Sequence, residues 1–441
     1  MSRPIIAIVG RPNVGKSMLF NKIAGKRLSI VEDTPGVTRD RLYAVSDWAG
    51  YSFSVVDTGG IEPKTDSELL KYMREQALLA CEMADVIIFV CDLRTGATAE
   101  DKSVASLIKK YGKPVVLAVN KADSTGVTDP GVYEFYSLGL GDPVPVSALH
   151  GHGTGDLLDE CIKHFAAVED EEDDGRISVA IIGKPNAGKS SLVNKILGET
   201  RVVVSPIAGT TRDAIDAEFE NEHGKFLFID TAGLRKKSRI DTRIEAFSRL
   251  RAEMAVDRAD VCVIVIDAQE GLTEQDTKVA GLAHEAGKAS IILINKWDTI
   301  EKETNTQKVY TDNLRADLKY MAYAPMIFVS ALTGQRVTSL FPEIVRVYEE
   351  SRKRISTGQL NSLLADLTMR VPPPTDKGRR LKIFYITQVA TAPPTFAAFV
   401  NERELFHFSY RRYIENGIRA AYGFEGSPVR FAVRQRGENE G

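Results

Sequence analysis

Cysteine is scarce in this chain. Its four copies, Cys81, Cys91, Cys161 and Cys262, form no CxxC pair. A disulfide framework and a thiolate metal site are therefore not expected, and buried thiols in a reducing cytoplasm are. No apolar run is long enough to span a bilayer, which argues against a transmembrane segment. The start, MSRPIIAIVGRPN, has too short an apolar run for a signal peptide and leads directly into a motif. A net excess of either charge is also nearly absent, at −3 overall, but the balance is uneven along the chain. Residues 351–441 hold 15 Lys plus Arg against 8 Asp plus Glu. That surplus of +7 leaves −10 on the first 350 residues and suggests a polyanionic partner for the basic end.

What the chain has instead is a repeat. GRPNVGKS, Gly10 to Ser17, returns as GKPNAGKS, Gly183 to Ser190. Thr38 maps to Thr211 and Asp57 to Asp230 at the same offset, and NKAD, SAL and their partners NKWD, SAL follow in order. This is a duplicated domain, not a short-period solenoid. Apolar runs such as IIAIVG, VIIFVCD and PVVLAVN, and SVAIIG, VCVIVID and SIILIN, alternate with amphipathic stretches. They predict buried strands of a mostly parallel sheet covered by helices, with the motifs at the strand ends. EDEEDD, Glu169 to Asp174, reads as an exposed acidic linker. The expected division is a first domain over 1–167, the linker over 168–176, a second domain over 177–350, and a small α+β domain over 351–441. The last reads helix, two strands, short helix, long helix, strand, with the Pro372-Pro373-Pro374 run ending its first helix.

The GxxxxGK[ST] loops fit a polyphosphate. Gly10, Arg11, Pro12, Asn13, Val14, Gly15, Lys16 and Ser17 form one. Gly183, Lys184, Pro185, Asn186, Ala187, Gly188, Lys189 and Ser190 form the other. Lys16 and Lys189 reach the β- and γ-phosphates, and Ser17 and Ser190 hold Mg²⁺ by their hydroxyls. Asp57 and Asp230 hold the same ion through water. The loops Thr58-Gly59-Gly60-Ile61 and Thr231-Ala232-Gly233-Leu234 sense the γ-phosphate. Thr38 and Thr211 are the second Mg²⁺ hydroxyls, so Lys16, Thr38, Lys189 and Thr211 are the catalytic candidates. Asp123 and Asp298 accept two hydrogen bonds from guanine that adenine cannot offer. Asn120 and Asn295 stabilise their loops, Lys121 and Lys296 cover the ring, and Ser147-Ala148 and Ser330-Ala331 meet the base from the other side.

Five GTPase motifs, each present twice, followed by the tail LKIFYITQVATAPPTFAAFVN and HFSYRRYIENGIRAAYGFEG, make the chain resemble the Der (EngA) family over essentially its whole length. The resemblance implies two tandem P-loop GTPase domains plus a KH-like C-terminal domain. It implies GTP hydrolysis with Mg²⁺, and a bacterial cytoplasmic factor that binds rRNA and assists assembly of the large ribosomal subunit. GTP, GDP and that subunit are the expected partners of a monomer, with no DNA and no membrane. Met18 departs from the usual threonine and is expected to face the helix interior. In related GTPases the asparagine equivalent to Asn13 and Asn186 ligates K⁺; the alternative is that each only hydrogen-bonds its own loop.

The KH-like region has no glycine at Phe406-His407-Phe408, where a GXXG clamp belongs. Gly423-Phe424-Glu425-Gly426 follows the last helix and carries a phosphate-repelling Glu425. Arg379, Arg380, Lys382, Arg411, Arg412 and Arg419 fit either phosphates or an acidic GTPase face. LRKKSRI, Leu234 to Ile240, places a basic run beside a γ-phosphate sensor and suggests nucleotide-gated contact. A GTP-dependent RNA-modification factor is the alternative reading, and a membrane-remodelling GTPase a third. The first lacks a cofactor or Cys/His constellation, the second a stalk or lipid-binding segment.

Overall fold

The computed structural model describes residues 4–25, 43–57, 84–123, 129–165, 175–198, 216–229, 244–376 and 378–435. They fall in two compact units, Met1–Glu172 and Asp173–Gly441.

In the first unit, β1 (Ile5–Gly10), α1 (Lys16–Ala24), β2 (Tyr43–Trp48), β3 (Tyr51–Asp57), β4 (Val86–Asp92), α2 (Ala99–Lys110), β5 (Val115–Asn120), β6 (Pro143–Pro145) and α3 (Thr154–Ile162) follow in order. The sheet runs β2-β3-β1-β4-β5-β6, with β2 antiparallel to β3 and the remaining pairs parallel. Every residue of β1 and β4 is buried, as the unbroken apolar runs require of strands covered on both faces. One face packs Ile6, Ile8, Ile88 and Val90 against Leu19 and Phe20 of α1 and Leu157 and Leu158 of α3.

The second unit repeats the plan. It holds β7 (Ile177–Ile182), α4 (Lys189–Gly198), β8 (Ala217–Asn221), β9 (Gly224–Ile229), α5 (Ile244–Arg258), β10 (Val261–Asp267), α6 (Glu274–Glu285), β11 (Ala289–Asn295), α7 (Thr306–Asp317), β12 (Met326–Phe328) and α8 (Leu340–Arg352). Its sheet order is β12-β11-β10-β7-β9-β8. Alternate residues of β10 enter opposite cores. Val261, Val263 and Val265 meet α4 and α8, whereas Cys262, Ile264 and Ile266 meet α5 and α6.

The same unit continues into α9 (Thr357–Arg370), a two-residue ladder β13 (Thr375–Asp376) and β14 (Arg379–Arg380), β15 (Ile383–Ala390), β16 (Thr395–Val400), α10 (Phe408–Tyr422) and β17 (Arg430–Gln435). β16 lies between antiparallel β15 and parallel β17. The short helix expected at ERELF is a single 3-10 turn, Arg403–Leu405.

This small layer is fastened to the α/β layer beside it. The Gly423–Gly426 stretch is part of that joint. Gly426 N donates to Tyr323 O at 2.7 Å and its carbonyl accepts from Ser290 N at 2.7 Å. Phe424 N donates to the Glu350 carboxylate at 2.6 Å, and Glu425 pairs with Arg346 at 2.6 Å. Arg419 also belongs here, donating to the Phe424 and Ser427 carbonyls with its guanidinium over the Tyr323 ring. Arg379 is paired with Glu402.

His284 sits in the joint, its Nδ1 3.0 Å from Tyr323 Oη and its ring against Tyr320 and Tyr323. Burial, then Arg430 and Arg419, hold its pKa below the ordinary value. The folded state thus favours neutral imidazole. Its contribution to stability is complete above the unfolded pKa near 6.5 and is lost as pH falls below that. Between pH 7.5 and 5.5 the slope from this group reaches up to about 1.4 kcal/mol per pH unit. Thermal unfolding of wild type against His284→Gln across that range is expected to show a flatter pH profile in the variant; parallel profiles would remove His284 as the cause.

Candidate functional site

Both phosphate loops leave their strands where only glycine fits. A Cβ on Gly10 or Gly183 would collide with the carbonyl oxygen of Val90 or Val265 on the neighbouring strand. Asn13 and Asn186 (φ 62° in each) and Gly15 and Gly188 (φ 94° and 92°) then take left-handed conformations. A Cβ on Gly15 or Gly188 would also strike the side-chain amide of Asn120 or Asn295. The loops open into α1 and α4, beginning at Lys16 and Lys189. A helix start entered through left-handed residues presents backbone N–H groups to an anion.

Lys16 Nζ lies 2.9 and 2.7 Å from the carbonyls of Gly10 and Arg11. Lys189 Nζ lies 2.7 and 2.6 Å from those of Gly183 and Lys184. Burial pushes the Lys189 ammonium down to about 8; an adjoining phosphate would favour its charged form. Ser17 Oγ donates to Asp57 Oδ2 at 2.7 Å, so two expected Mg²⁺ groups meet. Ser190 is exposed at the corresponding place. Thr38, Thr58 to Ile61, Thr211, and Asp230 to Leu234 lie outside the described residues, as does LRKKSRI. Asn13 and Asn186 are exposed, and among the described residues neither amide hydrogen-bonds its own loop. Met18 does not face the helix interior: it is 48% exposed, because Leu19 and Phe20, one and two positions on, take the buried side of α1.

One asparagine ties each site together. Asn120 donates to Val14 O at 2.7 Å and accepts from Ala148 N at 2.9 Å. Asn295 donates to Ala187 O at 2.9 Å and accepts from Ala331 N at 2.9 Å. These bonds join the phosphate loop to both base loops. Lys121 and Lys296 are also left-handed, at φ 67° and 60°. In the first copy Ser147 Oγ donates to Asp123 Oδ1 at 2.7 Å and Arg94 to Oδ2 at 2.9 Å. The Ser147 bond first, then Arg94, lowers the Asp123 pKa. Asp298 is exposed and follows the buried Trp297, whose ring is wedged edge-on against Phe328. Ser330 is buried and accepts from Thr333 N.

Two carboxylate pairs escaped the motif reading. Asp92 and Asp267, ending β4 and β10, hold the ammonium groups of Lys121 and Lys296 at 2.6 and 2.5 Å. Asp101 and Asp276, in the capping boxes that start α2 and α6, hold the second residue of each loop, Arg11 at 3.1 Å and Lys184 at 3.2 Å. Their signal was present: each is an aspartate repeated at the NKxD offset, two of them closing otherwise apolar strands.

A family model described as 50S ribosome-binding GTPase matches residues 5–121 and 178–296. Another, described as the KH-domain-like C-terminal part of EngA bacterial GTPase enzymes, matches 354–434. The chain is 55% identical over 437 residues to GTPase Der of Acetivibrio thermocellus, covering 99% of each. It is 56% identical over 442 residues to GTPase Der of Lachnoclostridium phytofermentans, covering 100% of each. Among solved structures, Era in complex with MgGDPNP and nucleotides 1506–1542 of 16S ribosomal RNA aligns at 21% identity over 58% of this chain and 92% of that one, with a TM-score of 0.31. Two guanine-type sites on one chain, each built from the same loops, are what full-length similarity of this kind leads one to expect: the chain belongs to the Der (EngA) family of tandem-domain GTPases and hydrolyses GTP.

Proposed function

We propose that this chain is a GTP-driven switch in maturation of the large ribosomal subunit, with nucleotide state at its two sites gating contact with rRNA. The observation that carries the reading is β11. Its second residue, Ser290, is fastened to the basic C-terminal layer through Gly426, and its last residue, Asn295, braces the second nucleotide site. A change at that site therefore reaches the basic layer through one buried strand. The basic groups exposed on that layer include Arg380, Lys382, Arg412 and Arg434, which supply counter-charge for phosphates. The proposed division of labour follows the boundaries 1–167, 177–350 and 351–441, in a monomer of the bacterial cytoplasm.

The hydroxyl of Ser17 and carboxylate of Asp57 are hard oxygen donors that fit Mg²⁺, with Thr38 as the further ligand in the first copy and Ser190, Asp230 and Thr211 as the corresponding set for a second ion in the other. When bound, each ion offsets charge developing on the phosphates. The protein's own part is to orient the triphosphate along the loop with Lys16 or Lys189, and to fix the base with Asp123 or Asp298. The test is co-sedimentation with large-subunit particles at graded salt. Affinity is expected to differ by about fivefold or more between GTP-analogue and GDP forms, a coupling within the usual range. Equal affinity at every salt concentration would defeat the switch.

A further inference from the structure

The duplication places one surface in the fold twice, and its two copies differ among the described residues. The capping boxes at Thr98 and Thr273 fix the register of α2 and α6, so Lys109, Lys110 and Tyr111 stand where His284, Glu285 and Ala286 stand in the second unit. There the end of α6 is a docking face. Arg430 donates to Glu285 O at 2.5 Å, Gly426 binds Tyr323 O, and His284 and Tyr323 are closed in together. In the first unit, among the described residues, Lys109, Lys110 and Tyr111 at the same end, beside the segment that precedes β6, are exposed.

Its chemistry differs as well. Over Pro130–Leu138 the chain is a 3-10 helix with Val132, Phe135 and Leu138 buried. A period of three then sends Tyr133 and Tyr136 outward. Their rings stack at 6.3 Å with 8° between planes, and they are 61% and 48% exposed. Tyr111 is 49% exposed. Lys109 lies against Gly139, the residue that ends the 3-10 segment, so close that a Cβ there would stand 2.6 Å from its Nζ; Lys110 is exposed next to it. Two carboxylates lie nearby: Asp142 accepts from Tyr136 Oη at 3.0 Å and Glu134 from Ala97 N at 3.2 Å, bonds that fix their direction without removing their charge. A second copy of the basic C-terminal layer would bring arginines such as Arg430 against Lys109 and Lys110, like charge on like. The fitting occupant is an anion that carries flat rings.

We propose that this face of the first unit, Tyr133 and Tyr136 with Tyr111, Lys109 and Lys110, binds single-stranded RNA, the bases stacking on the tyrosines and the phosphates meeting the lysines. The inference rests on the RNA-binding reading above and places a contact outside the C-terminal layer. The experiment uses the full chain and a labelled oligouridylate of about ten nucleotides, within the span such surfaces cover. Tyr133→Ala with Tyr136→Ala is expected to weaken binding about tenfold or more, while Tyr133→Phe with Tyr136→Phe stays near wild type. Lys109→Gln with Lys110→Gln is expected to flatten the log–log salt slope by about 1 to 1.5. Two equivalents of bound GTP in each variant certify the fold. Wild-type binding with both the alanine affinity and the lysine slope unchanged would overturn this assignment alone and give the face to a protein partner. Failure of the wild type to bind RNA would overturn the RNA-binding reading with it.

Discussion

Asp123→Asn and Asp298→Asn are each expected to remove one equivalent of tight GTP binding and to leave the other. Guanine offers two donors on one edge, N1–H and the exocyclic amine, and a carboxylate accepts both. Asparagine turns one of those acceptors into a donor, so one bond becomes a donor–donor conflict. In a site built for such bonds, discrimination of about 10⁴–10⁵ is attainable, and a loss of about 10³ or more at the altered site is expected. Xanthosine triphosphate, which carries a carbonyl where guanosine has the amine, should recover affinity there because the new amide N–H has an acceptor. The copies should not respond identically. Asp123 is already held by Ser147 and by the exposed Arg94, and the equivalent of Arg94 in the second copy is the uncharged Gln269. Guanine at the first site must share or displace that guanidinium. Titration calorimetry with GTP, ATP and xanthosine triphosphate reads all of this. One site in the wild type, or ATP binding as tightly as GTP, would sink the guanine assignment.

How much of this was legible beforehand depends on distance along the chain. The phosphate loops were readable because Gly10, Gly15 and Lys16 act within one turn of chain, and the base loops because NKAD and NKWD close apolar strands. The asparagine braces were readable only in part. Asn120 was expected to steady its loop, but its bond to Val14, 106 residues away, is a product of sheet order. Lys121 was expected over the base, yet nothing local says that Asp92 holds it. The C-terminal layer shows the same limit. Its basic residues fitted phosphates and a GTPase face equally well, because charge does not specify which surface it meets. Packing separates them: Arg419 is spent on the Phe424 and Ser427 carbonyls, whereas Arg412 remains exposed on α10. Met18 was misplaced for a simpler reason. On a nine-residue helix the buried stripe is narrow, and Leu19 and Phe20 fill it.

The remaining large effect concerns turnover. A glutamine that orients the attacking water in many signalling GTPases is replaced here by Ile61 and Leu234, side chains with no polar group for that work. Intrinsic hydrolysis is therefore expected to be slow unless positive charge is supplied from elsewhere. Asn13 and Asn186 stand in the two phosphate loops with the same left-handed backbone, φ 62°. Their amides are exposed and, among the described residues, not spent on the loop itself. Loop bracing alone gives such an amide no task; coordination of a monovalent cation beside the phosphates does. We expect GTP turnover to be about 10²-fold or more faster in potassium than in sodium at equal ionic strength, on the scale of losing one strong electrostatic contact to the transition state. The test variants are Asn13→Gly and Asn186→Gly. Alanine would add the cost of a left-handed Cβ, about 1 kcal/mol or more, whereas glycine adopts that backbone freely and removes only the amide. Each variant should lose the potassium response at its own site while still binding GTP, and the double variant should lose it altogether. Turnover indifferent to the cation in wild type and variants alike would return both asparagines to the role of loop residues and leave the missing charge to be supplied by a partner.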